Sequence, residues 1–354
     1  MKKSLSVLCL LALLLPVFAG CTPDEPAVTT EAGTADTATG AGTDTDAETE
    51  PEPEEEKRSA DITVASLSVA DKISLTYTLT TEPAGLAGKL RVRATADSGA
   101  EKEGVFDANG AAELEAPASG GVINILASFE DENGEVLSSV QLRTKDGLVQ
   151  LTEDSVRLVV AEMTDDEKAH LITGTGKPKK EGASGGTYEI ERLGVPSITV
   201  NDGPAGVRYG TSVWYPSVMN MTSSWDGELI YGVGAAMGRD SLALGIDIVL
   251  APGMNIQKNV LGGRNFEYCS EDPLLTAFSA SAYVNGMQAS GSGACLKHFA
   301  GNEQETNRGS ESSAMTERAL REIYLKPFQL AVKNSSPWSV MSAYNQLNGA
   351  YASI

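Results

Sequence analysis

The chain has 354 residues, enough for two domains or one large one, and carries 48 Asp and Glu against 27 Lys and Arg, a net charge of -21 at pH 7. So acidic a chain is repelled by polyanions, which excludes a nucleic-acid-binding role built on clustered cations. Its two histidines and four cysteines, without Cys-x-x-Cys or His-x-x-x-His spacing, offer no ligand set for a metal.

Lys2 and Lys3 followed by the apolar run Leu5 to Phe18 read as a signal peptide over residues 1–20, too short to span a bilayer, so the chain is expected to be exported. The junction Phe18-Ala19-Gly20-Cys21 resembles a bacterial lipoprotein box, with Phe18 where Leu is usual. It implies lipidation of Cys21 and a place on the outer face of the cell membrane, or plain secretion if Cys21 stays unmodified. Residues 21–60 follow as an acidic tether. Twelve acids stand there against Lys57 and Arg58 among Thr, Ala, Gly and Pro, about half of the chain's net charge in a segment unable to build a core.

From 61 to 146 the rhythm is that of strands: Ile73 to Leu79 alternates apolar and polar residues, and Leu90 to Val92 and Val122 to Ala127 repeat the theme. Pro83, Asn109-Gly110 and Asn133-Gly134 punctuate these runs as turns. The spacing fits a small immunoglobulin-like β-sandwich without the Cys…Trp…Cys hallmark of a true immunoglobulin domain. A sugar-binding module would need exposed aromatic platforms, and the segment has only Tyr77, Phe106 and Phe129, so it reads as a spacer.

From 147 to 354 helices and strands alternate. Ser155 to Thr173 predicts two helices, the second opened by Thr164 and closed by Gly174. Strands are expected at Ser197 to Val200, Gly245 to Leu250, Ala294 to Lys297 and Trp338 to Ser342, and helices at Glu228 to Leu244, Leu274 to Gln288 and Thr316 to Val332. Such alternation argues an α/β fold with a parallel sheet, doubly wound or closed into a barrel. Cys269 and Cys295 fit as two small buried thiols.

The run Lys297-His298-Phe299-Ala300-Gly301-Asn302-Glu303-Gln304-Glu305-Thr306-Asn307-Arg308 sets cations, a histidine and carboxylates where a buried strand meets its loop. Asn201-Asp202-Gly203-Pro204-Ala205-Gly206-Val207-Arg208, Gly262-Gly263-Arg264-Asn265-Phe266-Glu267 and Met341-Ser342-Ala343-Tyr344-Asn345 likewise follow or end apolar strands. Together, and in this order, the four motifs resemble the glycoside hydrolase family 3 β-glucosidases. The resemblance spans about Thr152 to Ile354. It implies that 147–354 is a partial (β/α) TIM-type barrel with no cofactor, acting on a β-glucoside or oligosaccharide.

Residue by residue, the resemblance implies that Asp202 grips hydroxyls of the sugar in the -1 subsite, with Arg208, Arg264, Lys297, His298 and Arg308 as further substrate contacts and Tyr344 beside the nucleophile. Lone readings differ: Asp202 would bond its own turn, Arg264 would pair with Glu267, Glu271 or Asp272, and Tyr344 would sit in a core. Those three acids read as structural. Glu303 and Glu305 read as acids that orient the cations, with Glu303 able to pair with Arg308. Lys297 and His298, adjacent on a strand, should point to opposite faces, so lining one pocket together requires a bulge or distorted peptide. The nucleophile and acid/base of the family's retaining mechanism are expected beyond Ile354. No catalytic residue is therefore assigned within the chain, and the chain alone is expected to be inactive. β-Xylosidase, β-N-acetylglucosaminidase and a non-catalytic sugar-binding lipoprotein are the alternatives.

Overall fold

A computed structural model describes residues 58–353 apart from 109, 119–120, 176–182 and 209–210. The signal peptide, nearly all of the tether, Cys21, and Asn109 of one expected turn lie outside the described residues.

Eight antiparallel strands build the N-terminal part: β1 Ser59–Val69, β2 Lys72–Glu82, β3 Gly88–Ala96, β4 Glu101–Asp107, β5 Ala111–Glu115, β6 Val122–Asp131, β7 Val136–Lys145 and β8 Leu148–Gln150. They pair in two sheets, β1-β2-β5 and β4-β3-β6-β7-β8. Three strands thus face five, the two-layer arrangement of a β-sandwich. Alternation decides which side faces in: Ile73, Leu75 and Tyr77 of β2 meet Leu90, Val92, Ile125 and Phe129 of the opposing sheet, all buried. Each such aliphatic side chain contributes about 1.5–3 kcal/mol. The β6–β7 turn is held by Asp131, whose carboxylate accepts from the Asn133 and Glu135 amides, while Gly134 takes the positive φ that Asn-Gly turns require. The sheets extend past 61–146 at both ends, because β1 starts at Ser59 and β8 pairs with β7.

The sandwich does not stand apart as a spacer would. Its core runs on, in one apolar cluster, into Val156, Leu158 and Val159 of α1 (Val156–Glu162), Leu171 of α2 (Asp165–Thr173), and then Leu193, Ile198, Ile248 and Cys295. Thr164 caps α2 through a capping box with Glu167 and Gly174 ends it, as the sequence predicts.

A third sheet has the order β14-β12-β11-β10-β9. Its strands β10 Thr199–Asp202, β11 Ile248–Leu250, β12 Gly293–Phe299 and β14 Ser339–Ser342 are parallel, and β9 Gly185–Gly186 joins antiparallel. The short pair β13 Ser312–Ser313 lies in a separate small sheet. Between the parallel strands run α3 (Gly227–Ala243), α4 (Pro273–Ala289) and α5 (Lys326–Ser335), giving a half-barrel of (β/α) units with β14 at its edge. Asp226 and Asp272 cap α3 and α4 by accepting from the second and third amides of each helix. Helices α3 and α4 touch through glycine: a Cβ on Gly286 would stand 2.0 Å from the Tyr231 carbonyl.

One expected helix differs. The stretch Thr316 to Val332 begins with an α-turn, widens into a π-turn over Leu320–Tyr324 and resumes as α5. Pro327 supplies the reason, since it has no N–H to give and crowds the turn before it. The Leu325 amide reaches back to the Leu320 carbonyl at 2.8 Å.

Candidate sugar-binding site

Strands β10, β12 and β14 each deliver a polar residue at or just past the C-terminal end, and the long loop after β11 adds Arg264 and Glu267. Asp202 is the last residue of β10, and its carboxylate is set by Ser184, whose hydroxyl lies 3.1 Å from Oδ2 and 3.1 Å from the Asp202 amide. The following turn brings the Arg208 amide onto the Asp202 carbonyl at 2.8 Å and the Arg208 guanidinium to 3.9 Å from the carboxylate. Lys297, near the end of β12, is 2% exposed. Its ammonium stands 3.4 Å from Asp202 and 3.3 Å from Glu267. Glu267 in turn pairs with Arg264, which lies 3.8 Å from Glu305; Glu305 holds Arg308 at 2.8 Å, and Arg308 sits over the Tyr344 ring at 5.2 Å. The result is one unbroken chain of alternating charge: Arg208, Asp202, Lys297, Glu267, Arg264, Glu305, Arg308. Each buried charge is thereby paired, as burial demands.

His298 lines the same cavity as Lys297, although it is the next residue on the strand. The distortion required for this is present: the β12–β14 register shifts between Lys297 and Phe299. Asn255 clasps the His298 backbone from both sides, accepting from its N–H at 2.8 Å and donating to its carbonyl at 2.9 Å. Burial, then the charges of Arg264, Lys297 and Arg308, push the His298 pKa down to about 2, so the ring is neutral at physiological pH.

Asp202, Arg208, Arg264, Lys297, His298, Arg308 and Tyr344 all line a single cavity of about 660 Å³. Arg264 does both things the sequence left open, pairing with Glu267 and facing the cavity. Tyr344 is 65% exposed, which removes the core reading. Two expectations are corrected. Glu303 does not pair with Arg308: it is buried against the Asn255 amide at 3.5 Å, and burial pushes its carboxyl up to about 7, whereas Glu305 takes the arginine. Asp272 serves as the cap of α4 and not as a partner of Arg264.

Sequence reasoning missed Ser184, Trp214 and Phe266 on the cavity wall, and Asn255 and Tyr268 behind His298. Trp214 had a readable signal, an aromatic pair with Tyr215 placed a few residues after Arg208. Tyr268 stands one residue after Glu267 in the motif that begins at Gly262, but its role, like that of Asn255, depends on contacts across separate loops. A larger cavity of about 1120 Å³ lies along the β14 edge, where Phe299, Leu325, Phe328, Val332 and Val340 give an apolar floor and Arg321, Glu322, Lys326 and Lys333 also line it. Among the described residues, no group of three His, Cys, Asp or Glu is placed to hold a metal ion.

The two acids on the cavity wall, Asp202 and Glu267, are both held in ion pairs. Such an arrangement suits recognition of a polyol. Carboxylates accept from hydroxyl groups, while ammonium and guanidinium groups donate to their oxygens.

Comparison with known proteins agrees with this geometry. Residues 183–354 match the family described as Glycosyl hydrolase family 3 N terminal domain. Thermostable beta-glucosidase B of Acetivibrio thermocellus is 44% identical over 211 residues, covering 56% of this chain and 27% of that protein. A beta-glucosidase of Rhizobium radiobacter is 45% identical over 202 residues, 55% of this chain and 24% of that protein. The solved structure of beta-glucosidase 3B from Thermotoga neapolitana in complex with glucose superposes with a TM-score of 0.55 at 45% identity, covering 56% of this chain and 30% of that one. The chain thus spans about a quarter of the length of these curated relatives.

Proposed function

We propose, starting from the membership of residues 183–354 in glycosyl hydrolase family 3, that the chain carries the sugar-gripping part of a β-glucosidase active site. The carrying observation is the convergence of seven polar residues, from four separate loops, on one cavity at the C-terminal ends of parallel strands. In this reading the terminal, non-reducing glucose of a β-linked glucoside sits in the cavity. Asp202 accepts from adjacent hydroxyls, Lys297, His298, Arg264 and Arg308 donate to them, and Tyr344 and Trp214 flank the mouth. Hydrolysis would follow the retaining course, with two carboxylates about 5–5.5 Å apart. Asp202 and Glu267, tied into ion pairs, are read as binding and orienting groups and not as that pair.

The sequence also supports export through residues 1–20 and anchoring to the membrane through a lipid on Cys21. The test of the sugar reading is titration of D-glucose into the full chain by calorimetry, with Asp202→Ala alongside. Saturable binding that Asp202→Ala weakens at least tenfold is expected, with no turnover of an aryl β-glucoside. Identical isotherms for the two proteins would remove Asp202 from the site, and turnover would show that the catalytic groups lie among these residues after all.

A further inference from the structure

His298 presents its Nδ1 to two groups, the Tyr268 hydroxyl at 3.2 Å and the Asn255 Oδ1 at 3.3 Å. Its Nε2, on the other side of the ring, makes no hydrogen bond among the described residues and is not one of the buried polar atoms left without a partner, so it is open to the cavity that His298 lines. Which nitrogen carries the proton therefore decides whether the cavity meets a donor or an acceptor. Hydrogen positions follow from the surrounding network, and here the network constrains them from a distance.

The constraint begins at Arg308, which holds the Glu305 carboxylate at 2.8 Å. A paired carboxylate only accepts, so the Asn302 group 3.0 Å from Glu305 Oε1 must be the amide nitrogen, Nδ2. The same Nδ2 donates to the Tyr268 hydroxyl at 2.9 Å. Tyr268 is buried and its phenol stays protonated, since desolvation raises its pKa well above the ordinary value. With its oxygen already accepting from Asn302, the phenol proton needs an acceptor, and among the described residues His298 Nδ1 is the one within reach. Asn255 does not compete on equal terms. Its Oδ1 already accepts the His298 amide at 2.8 Å, so it is satisfied without Nδ1, whereas a protonated Nδ1 would strand the buried phenol proton.

We propose that Tyr268 is a positioning residue that holds neutral His298 in its Nε2–H tautomer, so that His298 enters the cavity as a hydrogen-bond donor. Added to Lys297, Arg264, Arg308 and Arg208, this makes the wall a set of donors opposed by the carboxylates of Asp202 and Glu267. The functional consequence rests on the sugar reading above: the hydroxyl at His298 is bound through its oxygen and keeps its own proton free to reach a carboxylate.

The experiment uses the full chain labelled with 15N-histidine and two-bond 1H–15N correlation spectra of the imidazole rings. With two histidines in the chain, His170→Gln assigns the remaining ring to His298. The expected spectrum has an unprotonated Nδ1 and a protonated Nε2 that do not titrate between about pH 5 and 8. Tyr268→Phe is expected to move the ring toward the Nδ1–H form, donating to Asn255, whereas Asn302→Leu, which leaves His298 Nδ1 as the acceptor of the phenol proton, is expected to leave the tautomer unchanged. A protonated Nδ1 or an averaged pair of shifts in the wild-type chain would overturn the proposal whether or not either variant folds. A folded Tyr268→Phe chain with an unchanged tautomer would overturn the role of Tyr268. Adding D-glucose to the same sample separates the two readings: a silent His298 Nε2 would count against the sugar site and leave the tautomer assignment standing.

Discussion

Replacing Lys297 by Met keeps the length of the side chain and deletes its charge. The ammonium is 2% exposed and lies 3.4 Å from Asp202 and 3.3 Å from Glu267. Removing one partner of a buried ion pair costs about 3–5 kcal/mol when the other is left stranded. Neither acid is stranded outright here: Glu267, with 6% of its side chain exposed, keeps Arg264, and Asp202, at 29%, keeps Ser184 and Arg208. The loss should therefore fall below that range, at about 2–3 kcal/mol, most of it at Glu267. Urea unfolding of wild type, Lys297→Met, Glu267→Gln and the double variant gives both the loss and the coupling, expected at about 1–3 kcal/mol for residues in direct contact. The same Lys297→Met chain should lose about ten- to a hundredfold in glucose affinity, the worth of a charge-assisted hydrogen bond of about 1.5–3 kcal/mol. A Lys297→Met chain within about 0.5 kcal/mol of wild type, or a coupling near zero, would refute the view that this ammonium ties Asp202 and Glu267 together.

Glu303 and His298 should oppose each other in pH dependence. Burial raises the Glu303 carboxyl from 4.5 to about 7, so the folded chain binds the extra proton and loses stability as pH rises through that window; His298, lowered from 6.5 to about 2, loses stability as pH falls below 6.5. Between 4.5 and 6.5 the two contributions cancel in the wild type, and Glu303→Gln should expose the histidine term as a gain of about 1.4 kcal/mol per pH unit on going up, read by urea midpoints; an unchanged profile would contradict the burial of Glu303. Cys269 and Cys295 are buried, with thiols pushed up by desolvation, to about 12 for Cys269, so peptide mapping after iodoacetamide at pH 8 should find both unmodified in the native chain and both alkylated in urea. Cys21 should incorporate a fatty-acid analogue in a bacterial host, and labelling equal to that of Cys21→Ala would favour secretion without an anchor.

Much of this architecture was legible because each signal was local. Thr164 opens one helix and Gly174 closes it, Gly134 completes an Asn-Gly turn, and the apolar alternation of Ile73 to Leu79 chooses its own face. The site was legible in part through the four polar motifs at strand ends. It was also legible through a conflict: adjacent Lys297 and His298 share a pocket only if the strand is distorted, and it is. What escaped was set by distance. Nothing near Glu303 in the chain tells it apart from Glu305, yet one is buried beside Asn255 and the other reaches two arginines. The fusion of the sandwich core with Leu193, Ile248 and Cys295 likewise arises from packing among residues far apart in the chain, which no periodicity reports.

The most direct measurement is a crystal structure of the chain soaked in D-glucose. The account predicts a sugar in the cavity between Asp202 and Tyr344, with hydroxyl oxygens within about 3.2 Å of the Asp202 carboxylate, the Lys297 ammonium and His298 Nε2. Glucose bound elsewhere while this cavity holds only water would contradict it.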